Sequence, residues 1–312
     1  MKTVAITGIS GYIGNALVQR LEQHEDVNGI VGIDLKEPRS ACTKLKFHCR
    51  DICEPFSDIL VENKVVSAIH LAFAVKPTHD YVNARRINID GSRNFLEACQ
   101  QASVEHVVYL SSHTVYGAHP DNPIPLTEDS PLRPIRGFQY SWDKAEADRM
   151  FQDFMKSYAD VSVTIVRPCS VLGPKGHGSV STGMFKPVMM RLIGYDPQLQ
   201  FIHEDDLADL LSTLISQREP GVFNAAGDGS LSYRQVIAAT RKPCVALPAS
   251  LMAPLMAISW RLHLQSASPP AGTEFIKYPI VISTAKVKKA TGFQIRYSSY
   301  EALLSYIGAE QD

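Results

Sequence analysis

The chain opens on Lys2 to Thr7, an apolar, β-branched run suited to a buried strand. It passes at once into Thr7-Gly8-Ile9-Ser10-Gly11-Tyr12-Ile13-Gly14 and then into a helix-compatible stretch from Asn15 to Gln23. The alternation continues along the chain. Ile30 to Ile33, Val65 to Leu71 and Glu105 to Ser111 read as further buried strands, and Tyr81 to Ala102 and Gln139 to Tyr158 as long helices between strands. Strands alternating with helices predict an α/β fold built on a doubly wound parallel sheet, with ligands at the carboxyl ends of the strands. Thr7, Asp34, His70 and Ser111-Ser112 all fall at such ends.

The opening strand, glycine turn and helix form an anion cradle. Gly8 permits a tight turn, Gly11 lets backbone N–H groups approach a pyrophosphate, and Gly14 is expected to let the helix pack close to the sheet. Tyr12 and Ile13 lie in the glycine turn just before that helix, whose N-terminus faces the phosphates. The second strand ends in Asp34, where a carboxylate accepts hydrogen bonds from a ribose and repels a 2′-phosphate. This points to NAD in preference to NADP, although Lys36 and Arg39 follow closely. A plain strand-end turn residue is the alternative for Asp34.

Tyr140 and Lys144 are four residues apart on an expected helix and so share a face. An ammonium beside a phenol favours the phenolate. Bringing tyrosine from its ordinary pKa near ~10 to neutrality takes roughly 4 kcal/mol. Such pairs are also common on surface helices, so the pair gains meaning only beside a hydride carrier and a hydrogen-bond partner.

With these residues in view, the chain resembles the extended short-chain dehydrogenase/reductase superfamily, of the NAD-dependent epimerase/dehydratase type. The matches run in order: the Thr7 to Gly14 turn; Asp51-Ile52, which reaches the adenine in that family; His70-Leu71-Ala72 under the cofactor, with Phe73 where a second Ala is more usual; Asn88-Ile-Asp-Gly91; Ser111-Ser112-His-Thr-Val-Tyr-Gly117; Tyr140 with Lys144; and Arg167-Pro168. The resemblance implies a Rossmann-type domain over 1–170, rejoined by 200–226, and a small, mostly helical substrate-binding cap from 171–199 and 227–312. It implies that Ser112, Tyr140 and Lys144 are catalytic. Ser112 would hold the substrate oxygen, Tyr140 would exchange its proton, and Lys144 would hold the nicotinamide ribose and keep Tyr140 acidic. It implies cofactor contacts from Gly8, Gly11, Tyr12, Ile13, Gly14, Asp34, Asp51, Ile52, Leu71, Ala72, Lys144 and Pro168. Asn88 would brace the site from behind, with a helix-orienting amide as the equal alternative, and Thr114 would line the substrate pocket. His113 reads as a packed or substrate-facing bystander, with a second acid or base beside Ser112 as the alternative, and His177 reads the same way. His203 to Asp206 resembles the family's His-x-x-Asp segment, which ties sheet to helix. A homodimer paired through the helices at 81–102 and 139–158 is also implied.

Composition narrows the partners. The 312 residues carry a net charge of −1, with no basic footprint for nucleic acid or an anionic membrane. No apolar run reaches the ~18 residues of a membrane span. Six cysteines without a C-x-x-C pair read as reduced thiols in a cytoplasmic protein, and no metal-ligand spacing is present. Three departures from the family bear on substrate. Ser111, Ser112 and His113 stand where sugar 4,6-dehydratases carry Thr-Asp-Glu, which argues against dehydration. Ser170 replaces the Asn, and Leu199-Gln200 the Arg, that hold a diphosphate in nucleotide-sugar epimerases. Each lost charge-assisted bond is worth about 1.5–3 kcal/mol; Lys175, Lys186 or Arg191 are the available substitutes. Lys242 to Trp260 is apolar and proline-punctuated, either a cap for a less polar substrate or an ordinary core helix. The expectation is an NAD(P)-dependent oxidoreductase acting on a secondary alcohol or carbonyl of a small-molecule substrate, with a sugar or nucleotide-sugar epimerase as the alternative.

Overall fold

A computed structural model describes residues 2–39, 42–176 and 185–309. Its centre is a seven-stranded, wholly parallel sheet. The strands are β1 (Lys2–Thr7), β2 (Val27–Asp34), β3 (Leu45–Cys49), β4 (Ser67–His70), β5 (His106–Leu110), β6 (Ser162–Pro168) and β11 (Gly221–Ala225), in the order β11-β6-β5-β4-β1-β2-β3. The order reverses at β1, with β2 on one side and β4 on the other, so a crevice opens beyond the carboxyl ends of β1 and β4. A buried bond of 2.7 Å between Thr7 Oγ1 and His70 Nδ1 links those two ends, and His70 Nε2 meets Ser92 Oγ at 3.1 Å. Burial first, then the nearby Lys144 charge, drives the His70 pKa down to about 3, so the ring is a neutral structural link.

Helices cover both faces: α1 (Tyr12–Glu22), α2 (Ser57–Glu62), α3 (Tyr81–Arg85), α4 (Gly91–Gln101), α5 (Gln139–Ser157) and α6 (Glu204–Gln217). α1 begins at Tyr12, three residues before the expected Asn15, because Gly11 is its N-cap and the Asn15 amide already bonds the Gly11 carbonyl. The long helix expected at 81–102 is broken by one π-helical turn at Arg86–Asp90, a feature frequent at functional sites. That turn carries Asn88, whose side chain accepts from the Ala74 amide at 2.7 Å and donates to Asp143 at 2.9 Å. One apolar cluster on each side of the sheet forms the core.

After β6 the chain adds short strands and helices over one end of the sheet. β7 (Ser170–Leu172) pairs with β10 (Phe201–His203), β9 (Gln198–Leu199) with β12 (Leu231–Ser232), and β8 (Met189–Leu192) with β13 (Cys244–Leu247). Helices α7 (Tyr233–Thr240), α8 (Ala249–Arg261), α9 (Ala285–Thr291) and α10 (Ser299–Gly308) complete it. A third apolar cluster, with Phe185, Met189, Tyr233 and Tyr306 among its members, gathers there.

The firmest polar anchor joins α5 to β6. Arg167 is 1 % exposed and Asp148 0 %, and they form a two-pronged pair at 2.9 and 2.7 Å. Removing one charge strands the other in the interior, at a cost of about 3–5 kcal/mol. Denaturant unfolding of Asp148→Asn should show a loss of that size; a loss below about 1 kcal/mol would mean that the pair is not the anchor.

Candidate active site

The glycine turn is as tight as the sequence implies. Gly8 sits at φ +71°, and a Cβ there would lie 2.5 Å from the Ala72 nitrogen, so the turn and the loop after β4 touch through bare backbone. A Cβ on Gly14 would meet the Ile9 carbonyl oxygen at 2.4 Å, so this glycine serves the turn's own backbone rather than the close helix–sheet packing expected of it. At Gly11 the nearest atom is the Gly8 oxygen at 3.1 Å, which leaves its outer side open. Asp34 accepts from the Ser10 and Leu35 amides at 3.0 and 2.7 Å. Tyr12 lies in the first turn of α1, and its hydroxyl donates to buried Glu204, whose charge together with burial pushes the phenol pKa up.

Helix α5 presents Tyr140, Lys144 and Asp148 as a single stripe, each one turn beyond the last. The stripe reads the end of β5 residue by residue. Asp148 accepts from Ser111 Oγ at 2.6 Å, Lys144 Nζ donates to the Leu110 carbonyl at 2.6 Å, and Tyr140 bonds Ser112. Thr114 donates to Ser112 Oγ from its hydroxyl at 3.0 Å, so a short relay runs from Thr114 through Ser112 to Tyr140.

The electrostatics differ from the expected acidic tyrosine. Burial pushes the Tyr140 phenol up to about 12, and the Ser112 bond only partly offsets it. Lys144 does not hold it down, because its amine is engaged by Leu110 and lies 3.7 Å from the Phe73 ring centroid. Burial also lowers the Lys144 pKa to about 7, with Asp148 opposing. Phe73, in place of the family's small residue, thus supplies the aromatic face for the amine and packs edge-on to Tyr140 at 6.0 Å.

A cavity of about 1000 Å³ runs from the glycine turn to the later elements. Gly8, Gly11, Tyr12, Ile13, Gly14, Leu71, Ser112, Tyr140, Lys144 and Pro168 line it together. Asp34, Asp51, Ile52 and Ala72 do not line it. Asp51 accepts from the Cys53 amide and from Arg86, while Ile52 is buried against Gly91. His113 and Thr114 border the cavity. Burial lowers the His113 pKa to about 4 even though its ring bonds the Pro168 carbonyl, so the ring is neutral. The far wall is apolar: Met189, Met252, Met256, Phe275, Tyr278 and Ile280. Ser170, Lys175 and Lys186 line the cavity and Arg191 does not. Gln200 borders it with its amide already committed to both backbone groups of Ile282. His203 caps α6 through the Asp205 amide, and buried Asp206 accepts from the Arg296 and Tyr297 amides. His177 lies outside the described residues. Among the described residues, no group of three or more His, Cys, Asp or Glu could hold a metal ion. Sequence reasoning missed Asp148 and the contacts of Glu204 and Phe73, whose partners are remote in the chain; for Asp148 only the i, i+4 step from Lys144 was there to be read.

The chain belongs to the NAD dependent epimerase/dehydratase family, whose model matches residues 4–226. An uncharacterised protein of Mycobacterium tuberculosis is 26 % identical over 98 % of this chain and 83 % of its own length. A UDP-glucose 4-epimerase of Lactobacillus helveticus is 30 % identical over 58 % of this chain and 54 % of its own. Among solved structures, the UDP-glucose 4-epimerase of Thermotoga maritima with UDP-glucose has a TM-score of 0.77 at 18 % identity, covering 99 % of this chain and 98 % of that one. MoeE5 in complex with UDP-glucuronic acid and NAD has the same TM-score at 22 % identity, covering 99 % of both chains. NAD is the cofactor of this family, and the bare backbone at Gly8, the open side of Gly11 and the Asp34 carboxylate beside Ser10 fit it.

The depressed amine is measurable. The folded chain releases the Lys144 proton where the unfolded chain still binds it. Lys144 therefore costs stability at and below about pH 7, and that cost fades as pH rises toward its ordinary value of 10.5. In NMR titration of isotope-labelled lysine, the signal missing from Lys144→Met should have its midpoint near pH 7; a midpoint at the ordinary lysine value would contradict the burial argument.

Proposed function

We propose that the chain is an NAD-dependent oxidoreductase that interconverts a secondary alcohol and a carbonyl, with Tyr140 as proton donor and acceptor. The observation that carries this reading is the relay from Thr114 through Ser112 to Tyr140, set on the wall of the cavity that the glycine turn enters. Bound NAD supplies reversible hydride exchange, which is the cofactor's own chemistry. Ser112 orients the substrate oxygen. Tyr140, holding its proton at neutral pH, gives it to that oxygen as a carbonyl is reduced and recovers it in the reverse direction. Gly8, Gly11, Tyr12, Ile13, Gly14 and Asp34 hold the cofactor, with Leu71, Ala72 and Pro168 beneath it, Asp51 and Ile52 toward the adenine, and Lys144 at the nicotinamide ribose.

In this reading residues 1–170 with 200–226 form the cofactor domain, and 171–199 with 227–312 form a cap whose apolar wall selects a substrate with an apolar body. The copies pair through the helices at 81–102 and 139–158, where Val82 is 84 % and Trp142 44 % exposed. A second reading, the nucleotide-sugar epimerase, has specific support in Lys175 and Lys186 at the cavity wall and in the UDP-sugar complexes of the structural neighbours. Against it stand Ser170 and the committed amide of Gln200 in place of the diphosphate-holding side chains.

Two measurements test the proposal. NADH absorbance during turnover of candidate alcohols and ketones should change in net amount; turnover with no net change would select the epimerase. Tyr140→Phe should lose roughly 100- to 10,000-fold in rate and keep its affinity for NAD. Equal rates for the two proteins would instead indicate a non-catalytic dinucleotide sensor.

A further inference from the structure

Helix α8 has two apolar sides. Its inner side places Met252 and Met256 in the cavity wall and buries Trp260. Its outer side carries Leu251, Leu255, Ile258 and Leu262 at i, i+4, i+7 and i+11, a single stripe, exposed by 58, 50, 57 and 60 %, and Leu264 follows at 73 %. Five exposed apolar side chains thus fall within fourteen residues, on one face of α8 and in the turn that follows it, well beyond scattered single positions.

The sequence around α8 is basic. From Gly229 to Thr273 it has no acidic residue, but it carries Arg234, Arg241, Lys242 and Arg261, the last directly beside Leu262 on the stripe. Arg241 and Arg261 are exposed and form no ion pair among the described residues, whereas Arg234 faces Asp196 at 3.7 Å. The overall charge of −1 conceals this local excess. A symmetric contact with a second copy would bring the same unpaired arginines together without a carboxylate between them.

We propose that the outer face of α8 seats the protein on the surface of an anionic lipid bilayer. Leucine and isoleucine side chains enter the boundary between headgroups and acyl chains, while the flanking cations pair with lipid phosphates. The seat is peripheral: α8 has 13 residues, and no helix among the described residues is long and apolar enough to cross a membrane. Because the opposite side of the same helix lines the cavity, the cavity wall would lie one helix thickness from the bilayer.

Flotation of the full chain with vesicles tests this. The wild type should rise with vesicles of equal parts phosphatidylcholine and phosphatidylglycerol, and less with phosphatidylcholine alone or in high salt. Arg261→Gln should bind the anionic vesicles roughly fivefold more weakly. The double variant Leu255→Glu/Ile258→Glu, neither position of which lines the cavity, should bind at least about tenfold more weakly while keeping its thermal unfolding and NAD affinity. Wild-type protein remaining at the bottom of the gradient with anionic vesicles, or the double variant floating like the wild type, would overturn the proposal. So would sedimentation showing that the double substitution converts a lipid-free dimer to monomer without any flotation, since the stripe would then be an interface between copies.

Discussion

The site depends on one buried carboxylate. Asp148 holds Arg167 with both oxygens and accepts from Ser111, so it fixes α5 against the ends of β5 and β6 at once. Two turns earlier on the same stripe lies Tyr140, whose position opposite Ser112 follows from that anchor and from the helical repeat. Lys144, between them, ties to the Leu110 carbonyl. Three residues at the carboxyl end of β5, Leu110, Ser111 and Ser112, are thereby held by three turns of one helix. Misplacement of the phenol by even ~1 Å would be costly for proton transfer, and the anchor that prevents it is paid for in stability elsewhere in the core.

The same burial that fixes the stripe also shapes its chemistry. Enclosure raises the Tyr140 phenol and lowers the Lys144 amine, which drives their titrations apart, because burial favours the neutral form of each. Lys144 is balanced between backbone carbonyl and aromatic face rather than turned to the phenol. The resting arrangement is thus a protonated acid beside a weakly charged amine, suited to giving a proton to a developing alkoxide. The anion cradle at the glycine turn stands at the other end of the same cavity.

How much of this the sequence disclosed follows the range of each interaction. The Thr7 to Gly14 turn was legible because strand, glycines and helix are contiguous and the requirement is local, although the reason for Gly14 lay in the turn's own carbonyls. Parallel strands and long helices were legible from periodicity, but the π turn at Asn88 was not, since the bonds its side chain makes to Ala74 and Asp143 run across the fold. Tyr140, Ser112 and Lys144 were legible as types; the raised phenol was not, since it depends on what encloses them and on Phe73. Asp51 and Ile52 were legible from the family pattern alone; Asp51 accepts from Cys53 and Arg86, and Ile52 packs against Gly91, contacts that no local pattern discloses. The two-sided character of α8 was invisible in an apolar stretch until the packing showed which face was covered.

The most direct test of the account is a crystal structure of the chain with bound NAD. The account predicts the diphosphate over the open side of Gly11, with the nicotinamide in the cavity facing Ser112 and the Tyr140 hydroxyl on the same side of the ring. A dinucleotide seated elsewhere, or a ring separated from Tyr140 by the Phe73 side chain, would contradict it.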